Sequence, residues 1–533
     1  MKTKSYTKNK IIIGFVIISI IFSLIFILPL SFAANITSIM LNVGEDESVR
    51  TLVFQSDTEK TNEVQYTFAN NEKDFSAAST ATTIQKKLIT GKWKNIAKFE
   101  NLSPNTEYMY KIKGDTNIYT FQTGSAGNNF SFAALGDPQI GVGDLQKEKE
   151  SWEKTLNTVS SNFPNIELMV SLGDQVNAVL PLEEEKEYDA FSEPAMLKKY
   201  PIAAVPGNHE LATNKPAERF YFPNETQYGK EISGADYFFK HKNTLFIMLN
   251  SNEKNATEHD KAIQAAISKY PDAKYKIVCF HHSIYSVASH REDIDILNLR
   301  KNLVPVFDKN KIDLVLMGHD HVYVRTPQMK NNEIVNKDEY YFGDGVVYTT
   351  LNSSSGSKHY GIKGDYPYVH SAFQLEKPEY TIVNVSDDEI SVNTYAVEDK
   401  SLVDGYTIKT KVNTPTDNPN QNEDNTTEDN TTVEEDTSNQ ESENNDNNAD
   451  ANTDANNDTN TENTDNKVTE TEQKNENTDS TVKDNKNLPT EKIENDKIAK
   501  TSPKTSIVSM STAMLSIALT ALTAMTAAKK REK

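Results

Sequence analysis

A single cysteine, Cys279, stands among 533 residues, so no disulfide within the chain is available. The same scarcity excludes a thiolate-rich zinc site. Cys279 lies in the apolar run IVCF and is expected to be a small buried strand residue. Lysine and arginine number 56 against 77 acidic residues, a formal net charge of −21. Nowhere do the basic residues gather into the dense stripe that duplex nucleic acid requires, so no such binding is expected. Most of the acidic excess falls after Lys411, in sequence dominated by Asn, Asp, Glu and Thr, with few apolar residues. Such a segment cannot bury enough surface to offset the entropy of ordering. Residues 411–500 are therefore expected to form a disordered, self-repelling spacer.

Two apolar runs sit near the ends. Ile11 to Leu30 follows Lys2, Lys4, Lys8 and Lys10 and precedes Ser31-Phe32-Ala33. This predicts a signal peptide over residues 1–33, cleaved after Ala33, although the run is long enough to span a bilayer uncleaved. The second run, Ile507 to Ala528, precedes Lys529-Lys530-Arg531 and would hold the chain in a membrane.

Between these ends, five short blocks carry the chemistry: GDPQ at Gly136–Gln139, GDQVN at Gly173–Asn177, GNHE at Gly207–Glu210, FHHSIY at Phe280–Tyr285 and GHDH at Gly318–His321. Together they offer Asp137, Asp174, Asn208, His281, His319 and His321. Carboxylate, amide oxygen and imidazole in this mixture suit a pair of divalent or trivalent cations. Two cations about 3.5–4 Å apart are suited to displacement at phosphorus.

Residues 35–124 alternate short apolar runs with polar turns and predict an all-β sandwich, left by a flexible Gly124–Gly127 exit. Residues 128–400 alternate strands with helices and then end in strands. The expected fold is an α/β (α+β) sandwich of mixed β-sheets flanked by helices. Helices are expected at Lys147–Ser160, Glu183–Lys199, Glu258–Lys269 and Arg291–Asp308. Each of the five blocks falls at the C-terminal end of a predicted strand, where open α/β sheets place their ligand-binding loops.

In order and in this context, the blocks resemble those of the calcineurin-like metallophosphoesterases. The sandwich in front of them narrows the resemblance to the purple acid phosphatase-like group. The L-x-P-x-T-x-Y-x-Y run from Leu102 to Tyr110 is similar to the corner of fibronectin type III sandwiches, where a tyrosine hydroxyl bonds back to the backbone. The resemblance implies hydrolysis of phosphate esters by a metal-activated water, with two ions drawn from Fe, Mn or Zn. It implies that Asp174 bridges the ions, that Asp137 and His321 hold the first, and that Asn208, His281 and His319 hold the second. It favours His281 over His282 as the ligand, because Tyr285 follows four residues later. His209 is implied as a contact to the phosphate, His290 as proton donor to the leaving group and Arg291 as a phosphate clamp. Tyr323 and Arg325 read as scaffold.

Two places depart from the family. Asn177 stands where purple acid phosphatases have the tyrosine that binds ferric iron. Gln139 stands where the wider superfamily often has histidine. Either amide is a candidate for the remaining ligand of the first metal. His241 and His259 read as surface residues, while His359 and His370 are candidates for the mouth of the site. At the far end, SPKTS (Ser502–Ser506), the apolar stretch 507–528 and the basic tail resemble a sortase sorting signal over residues 502–533. A sortase would cut after Thr505 and join the chain to peptidoglycan. Exported, cell-surface hydrolysis of phosphate esters, phosphomonoesters such as nucleotides favoured, is the expected function. The alternative is a cell-wall adhesin built on a degenerate phosphoesterase.

Overall fold

The computed structural model describes residues 35–59, 63–178 and 181–411. The leader, most of the acidic spacer and the sorting signal lie outside them. No helix among the described residues is long and apolar enough to cross a membrane.

The N-terminal region packs two sheets face to face. One holds Ile36–Val43, Arg50–Ser56, Trp93–Phe99 and Thr82–Lys87; the other holds Ser79–Thr80, Val64–Phe68, Glu107–Ile112 and Ile118–Gln122. Alternate residues of both, including Leu41, Leu52, Phe54, Phe99, Tyr108 and Phe121, close a common core. The hydroxyl of Tyr108 accepts a hydrogen bond from the Ser103 N–H at 2.9 Å, tying the turn to the strand that follows it. Tyr110 packs in the same core, and its hydroxyl donates to the Lys198 carbonyl at 2.8 Å.

The following region is a second sandwich with mixed sheets. In one sheet Phe130–Leu135, Leu168–Ser171 and Ile202–Ala204 run parallel, and Glu379–Val385, Glu389–Ala396 and Leu402–Lys409 add antiparallel strands. The other orders Tyr237–His241, Thr244–Met248, Tyr275–Cys279, Leu314–Met317, Val347–Thr350, Tyr323–Arg325 and Ser371–Phe373. Side chains meet between the sheets, as where Phe132 and Phe246 pack edge to face with centroids 5.1 Å apart. Cys279 is fully buried there, as expected. Helices Leu145–Asn162 and Pro181–Ser192 accompany the first sheet, and Ala256–Lys269 and Ile294–Lys309 the second. The Asp144 carboxylate caps the first helix by accepting from the Gln146 and Lys147 N–H groups.

Three features differ from expectation. The helix expected over Glu183–Lys199 stops at Ser192 and resumes as a short 3-10 turn at Ala195–Lys198. Pro194 accounts for the break, since it lacks an N–H and disfavours the helical conformation at Glu193. The two sandwiches also share a sheet: Asn42 pairs with Ile202, so Ile36–Val43 continues the sheet that bears the first three blocks. Finally, the last strand, Leu402–Lys409, runs past residue 400 as an integral part of that sheet. It is fastened by Asp404, which accepts from Tyr323 Oη at 2.9 Å and Arg325 Nε at 2.6 Å.

Candidate metal centre

Gly136-Asp137, Gly173-Asp174 and Gly207-Asn208 leave the C-terminal ends of the three parallel strands of the first sheet. His281 and Gly318-His319 leave adjacent strands of the second. The two edges meet, and the five loops form one polar cluster. Asp137, Asp174 and His281 are buried, and one ligand atom from each lies within 4.8 Å of the others. Asn208 Oδ1 lies 2.9 Å from His281 Nε2 and 2.8 Å from His319 Nδ1, which are themselves 3.1 Å apart. Asp174 Oδ1 is 3.4 Å from His281 Nε2, and His321 Nε2 is 3.7 Å from Asp137 Oδ1.

The protonation of these rings is set from behind. His281 Nδ1 faces the Leu172 carbonyl at 2.9 Å and His321 Nδ1 faces the Lys358 carbonyl at 2.8 Å. A carbonyl only accepts, so both Nδ1 atoms carry the hydrogen and, in the neutral ring, both Nε2 atoms carry the lone pair. Lone pairs of His281, His319 and Asn208 then face one another and the carboxylates at contact distance. Acceptors crowd together in this way where a shared cation satisfies them, so the donor set fits two metal ions. A proton substitutes for that charge when it is missing. Burial lowers the basicity of His281, but Asp174 and Asp137 outweigh burial and push it up to about 9. Burial likewise raises Asp174, yet His281 and His209 hold it below the ordinary carboxylate range. Burial lowers His321 to about 3 and drives His319 well down, as imidazoles acting as ligands require.

The backbone is shaped for this convergence. Asp137, Gln139, Asp174, His319 and His321 all have positive φ, between 37° and 77°, which non-glycine residues adopt at a cost. The glycines of the blocks leave room for ligands from other loops. A Cβ on Gly173 would sit 2.5 Å from His281 Nδ1, one on Gly207 2.0 Å from Asp174 Oδ1, and one on Gly318 2.3 Å from Asp137 Oδ2.

The structure brings Asp137, Asp174, Asn208, His281, His319 and His321 together and places the other candidates around them. Gln139 and Asn177 adjoin, with Gln139 Nε2 3.3 Å from Asn177 Oδ1. His209 lies at the rim, but both its ring nitrogens are engaged, Nδ1 with the Asn177 carbonyl at 2.5 Å and Nε2 with Gln139 at 2.7 Å. Neither is free for the phosphate contact expected of it. The His290 ring lies 4.6 Å from the His319 ring, tilted by 40°, with Nδ1 donating to Asp293 at 2.8 Å. Arg291 turns away from the ligands. Its guanidinium bonds Tyr366 and the Ala288 carbonyl and pairs with Glu292, so the expected clamp is not formed here. His282 is buried against Ser251, outside the ligand set.

His241 and His259 are not surface residues. Each is buried against a carboxylate, Glu167 and Asp236 respectively. His370 sits beside Ser371 and Asp338 rather than at the mouth. His359 is half-buried on the segment that also supplies the Lys358 carbonyl to His321.

Two functional residues escaped the sequence reading although they lie inside the blocks. Glu210, fully buried, accepts from the N–H groups of Asp174 at 3.0 Å, Gly207 at 2.7 Å and Val176 at 3.3 Å. It binds two metal loops to one another. Asp320 accepts from Ser286 Oγ and from the His290 N–H, fixing the loop that carries His290. The signal was the unexplained acid in GNHE and in GHDH.

Residues 131–323 match the calcineurin-like phosphoesterase family, and residues 36–130 match the purple acid phosphatase N-terminal domain. Purple acid phosphatase 3 of Arabidopsis thaliana is 31% identical over 128 residues, 24% of this chain and 30% of that protein. Purple acid phosphatase 5 of the same plant is 23% identical over 287 residues, 51% of this chain and 65% of that protein. The chain thus spans less than two thirds of the length of these curated relatives. Among solved structures, the purple acid phosphatase PPD1 from seeds of yellow lupin (Lupinus luteus) superposes with a TM-score of 0.59 at 15% identity, covering 71% of this chain and 75% of that one. In order along the chain, then, one stretch is similar to the purple acid phosphatase N-terminal domain and the next to the calcineurin-like phosphoesterases, and the described residues share the fold of that lupin protein.

Proposed function

We propose that the chain is a binuclear metallophosphoesterase that hydrolyses phosphate esters. The observation that carries this reading is the convergence of carboxylate, amide and imidazole donor atoms within contact distance of one another. Asn208, His281 and His319 would hold one cation, Asp137 and His321 the other, and Asp174 both. Two cations held there would neutralise charge on a phosphoryl group and ease deprotonation of the water that attacks it. The protein's own groups arrange the rest. The Leu172 and Lys358 carbonyls fix the imidazole tautomers. Glu210 keeps the GDQVN and GNHE loops in register. His290, with Nδ1 spent on Asp293, has Nε2 left, and as the imidazolium it carries there the proton to hand to the leaving oxygen. A surface evolved for binding alone has no need of this donor set.

Phosphomonoesters such as nucleotides are the favoured substrates. The leader, spacer and sorting signal read from residues 1–33, 411–500 and 502–533 support action at the surface of a Gram-positive cell. There a sortase would join the chain to peptidoglycan, after the membrane segment 507–528 had held it. The decisive experiment measures metal per chain together with turnover of aryl phosphate mono- and diesters. Wild-type protein should bind two equivalents and turn over; Asp174→Asn should lose both properties. Wild-type turnover in Asp174→Asn with two metals retained refutes the assignment.

A further inference from the structure

Asp137, His321 and the shared Asp174 give the first cation fewer donors than the second, and two amides, Gln139 and Asn177, adjoin His209, whose Nε2 lies 3.9 Å from Asp174 Oδ2. Their hydrogen bonds distinguish them. The Asn177 carbonyl only accepts, so His209 Nδ1, 2.5 Å away, carries the hydrogen. In the neutral ring His209 Nε2 then carries the lone pair. The Gln139 group 2.7 Å from that Nε2 must be the donor, its NH2. The same NH2 reaches Asn177 Oδ1 at 3.3 Å. Both hydrogens of the Gln139 amide are thereby used, and its oxygen is aimed away from both partners. Gln139 is 1% exposed, and its Oε1 is buried with no hydrogen-bond partner. A buried acceptor without a partner is costly, on the order of 1–3 kcal/mol, unless something unseen satisfies it. Asn177 Oδ1, by contrast, already has a partner in the Gln139 amide, and its Nδ2 lies 3.4 Å from the Gly141 carbonyl.

The position fits as well as the chemistry. Gln139 follows Asp137 by two residues, its N–H donates to the Asp174 carbonyl at 2.8 Å, and its φ of 38° turns the chain back on itself. We propose that Gln139, through Oε1, is the remaining ligand of the cation held by Asp137 and His321, and that Asn177 is not a ligand. His209 then acts as a positioning residue: it reads the Asn177 carbonyl on one side and fixes the Gln139 amide on the other. A neutral amide in place of a phenolate leaves this site suited to a divalent ion rather than a ferric one.

This inference rests on the two-metal reading, and zinc binding to the full chain separates the two. Apoprotein is titrated with Zn2+ against a competing chelator, with metal per chain counted after desalting. Wild type should bind two equivalents; none at all refutes the two-metal reading itself. Gln139→Ala should keep one equivalent at wild-type affinity and weaken the other by about 10–100-fold or more. Gln139→Glu, which restores an oxygen at the same place, should again hold two. Asn177→Ala removes Oδ1 but keeps the backbone carbonyl, and should hold two with both affinities within about threefold of wild type. His209→Phe should weaken the same single site as Gln139→Ala. Two equivalents at wild-type affinity in Gln139→Ala, or loss of one in Asn177→Ala alone, overturns the assignment.

Discussion

Replacing Gly207 by alanine tests the close approach on which the whole centre depends. The residue does not have a left-handed backbone, so alanine is allowed there by conformation and the cost is steric alone. The new Cβ would lie 2.0 Å from Asp174 Oδ1 and 2.4 Å from the Asp174 nitrogen. Real Cβ atoms do not approach closer than 3.0 Å, so the carboxylate or its backbone must retreat by about 1 Å. That backbone cannot yield freely, because Glu210 holds the N–H groups of Asp174 and Gly207 together. The shift falls on the one residue assigned to both cations. A displacement of about 1 Å in a catalytic group costs about 100-fold in rate, so kcat/KM on an aryl phosphate should fall by at least that factor. The apoprotein should lose only about 1–3 kcal/mol by urea unfolding, the range for overpacking. Gly91→Ala provides the contrast. There φ is +88° with nothing within 4 Å of the new carbon, so about 1 kcal/mol of strain is expected and activity should be unchanged. Wild-type kcat/KM and two bound metals in Gly207→Ala would show that Asp174 is not where the chemistry depends on it.

Metal-loaded protein should show no intense visible band, since Asn177 supplies no phenolate to a ferric ion; a strong band in the absorption spectrum of the iron-loaded protein would contradict this. Glu379 is 2% exposed with Oε2 unpartnered, and burial raises its carboxyl from 4.5 to about 7. Its folded-state pKa is the higher one, so the stability it contributes is complete below pH 4.5 and is lost as pH rises through 7. Glu379→Gln should remove roughly 2–3 kcal/mol of that slope in urea midpoints measured across the window, and an unchanged slope counts against it. Arg325→Ala leaves the part-buried Asp404 with Tyr323 Oη as its remaining partner and should cost about 1–3 kcal/mol with metal per chain unchanged. A loss below about 1 kcal/mol would mean the last strand is held by other contacts.

Much of the fold was legible because its signals are local. The parallel strands read as continuous apolar runs: the sequence places strands at Ile166–Leu172 and Ile312–Met317, and the structure forms them at Leu168–Ser171 and Leu314–Met317. The blocks were legible because a glycine beside a metal-type donor at a strand end is a compact pattern. What stayed hidden was long-range. His241 and His259 resembled surface histidines because Glu167 and Asp236 lie 74 and 23 residues away in sequence. The pairing of Asn42 with Ile202 joins runs that each already read as complete. Glu210 gave no periodic signal, since its partners are backbone N–H groups up to 36 residues distant. Choosing between Gln139 and Asn177 required the direction of each hydrogen bond, which spacing does not encode.

The glycines of the metal loops bear on how such a site is transplanted or redesigned. Gly173 makes space for His281, Gly207 for Asp174 and Gly318 for Asp137, so each loop is shaped around a ligand that another loop supplies. A graft that imports one loop from a relative brings a gap without its occupant, or an occupant without its gap. The five loops therefore form a single cassette. An engineer seeking a new metal preference would keep all three glycines and vary the donor at Gln139, where no reciprocal glycine is committed.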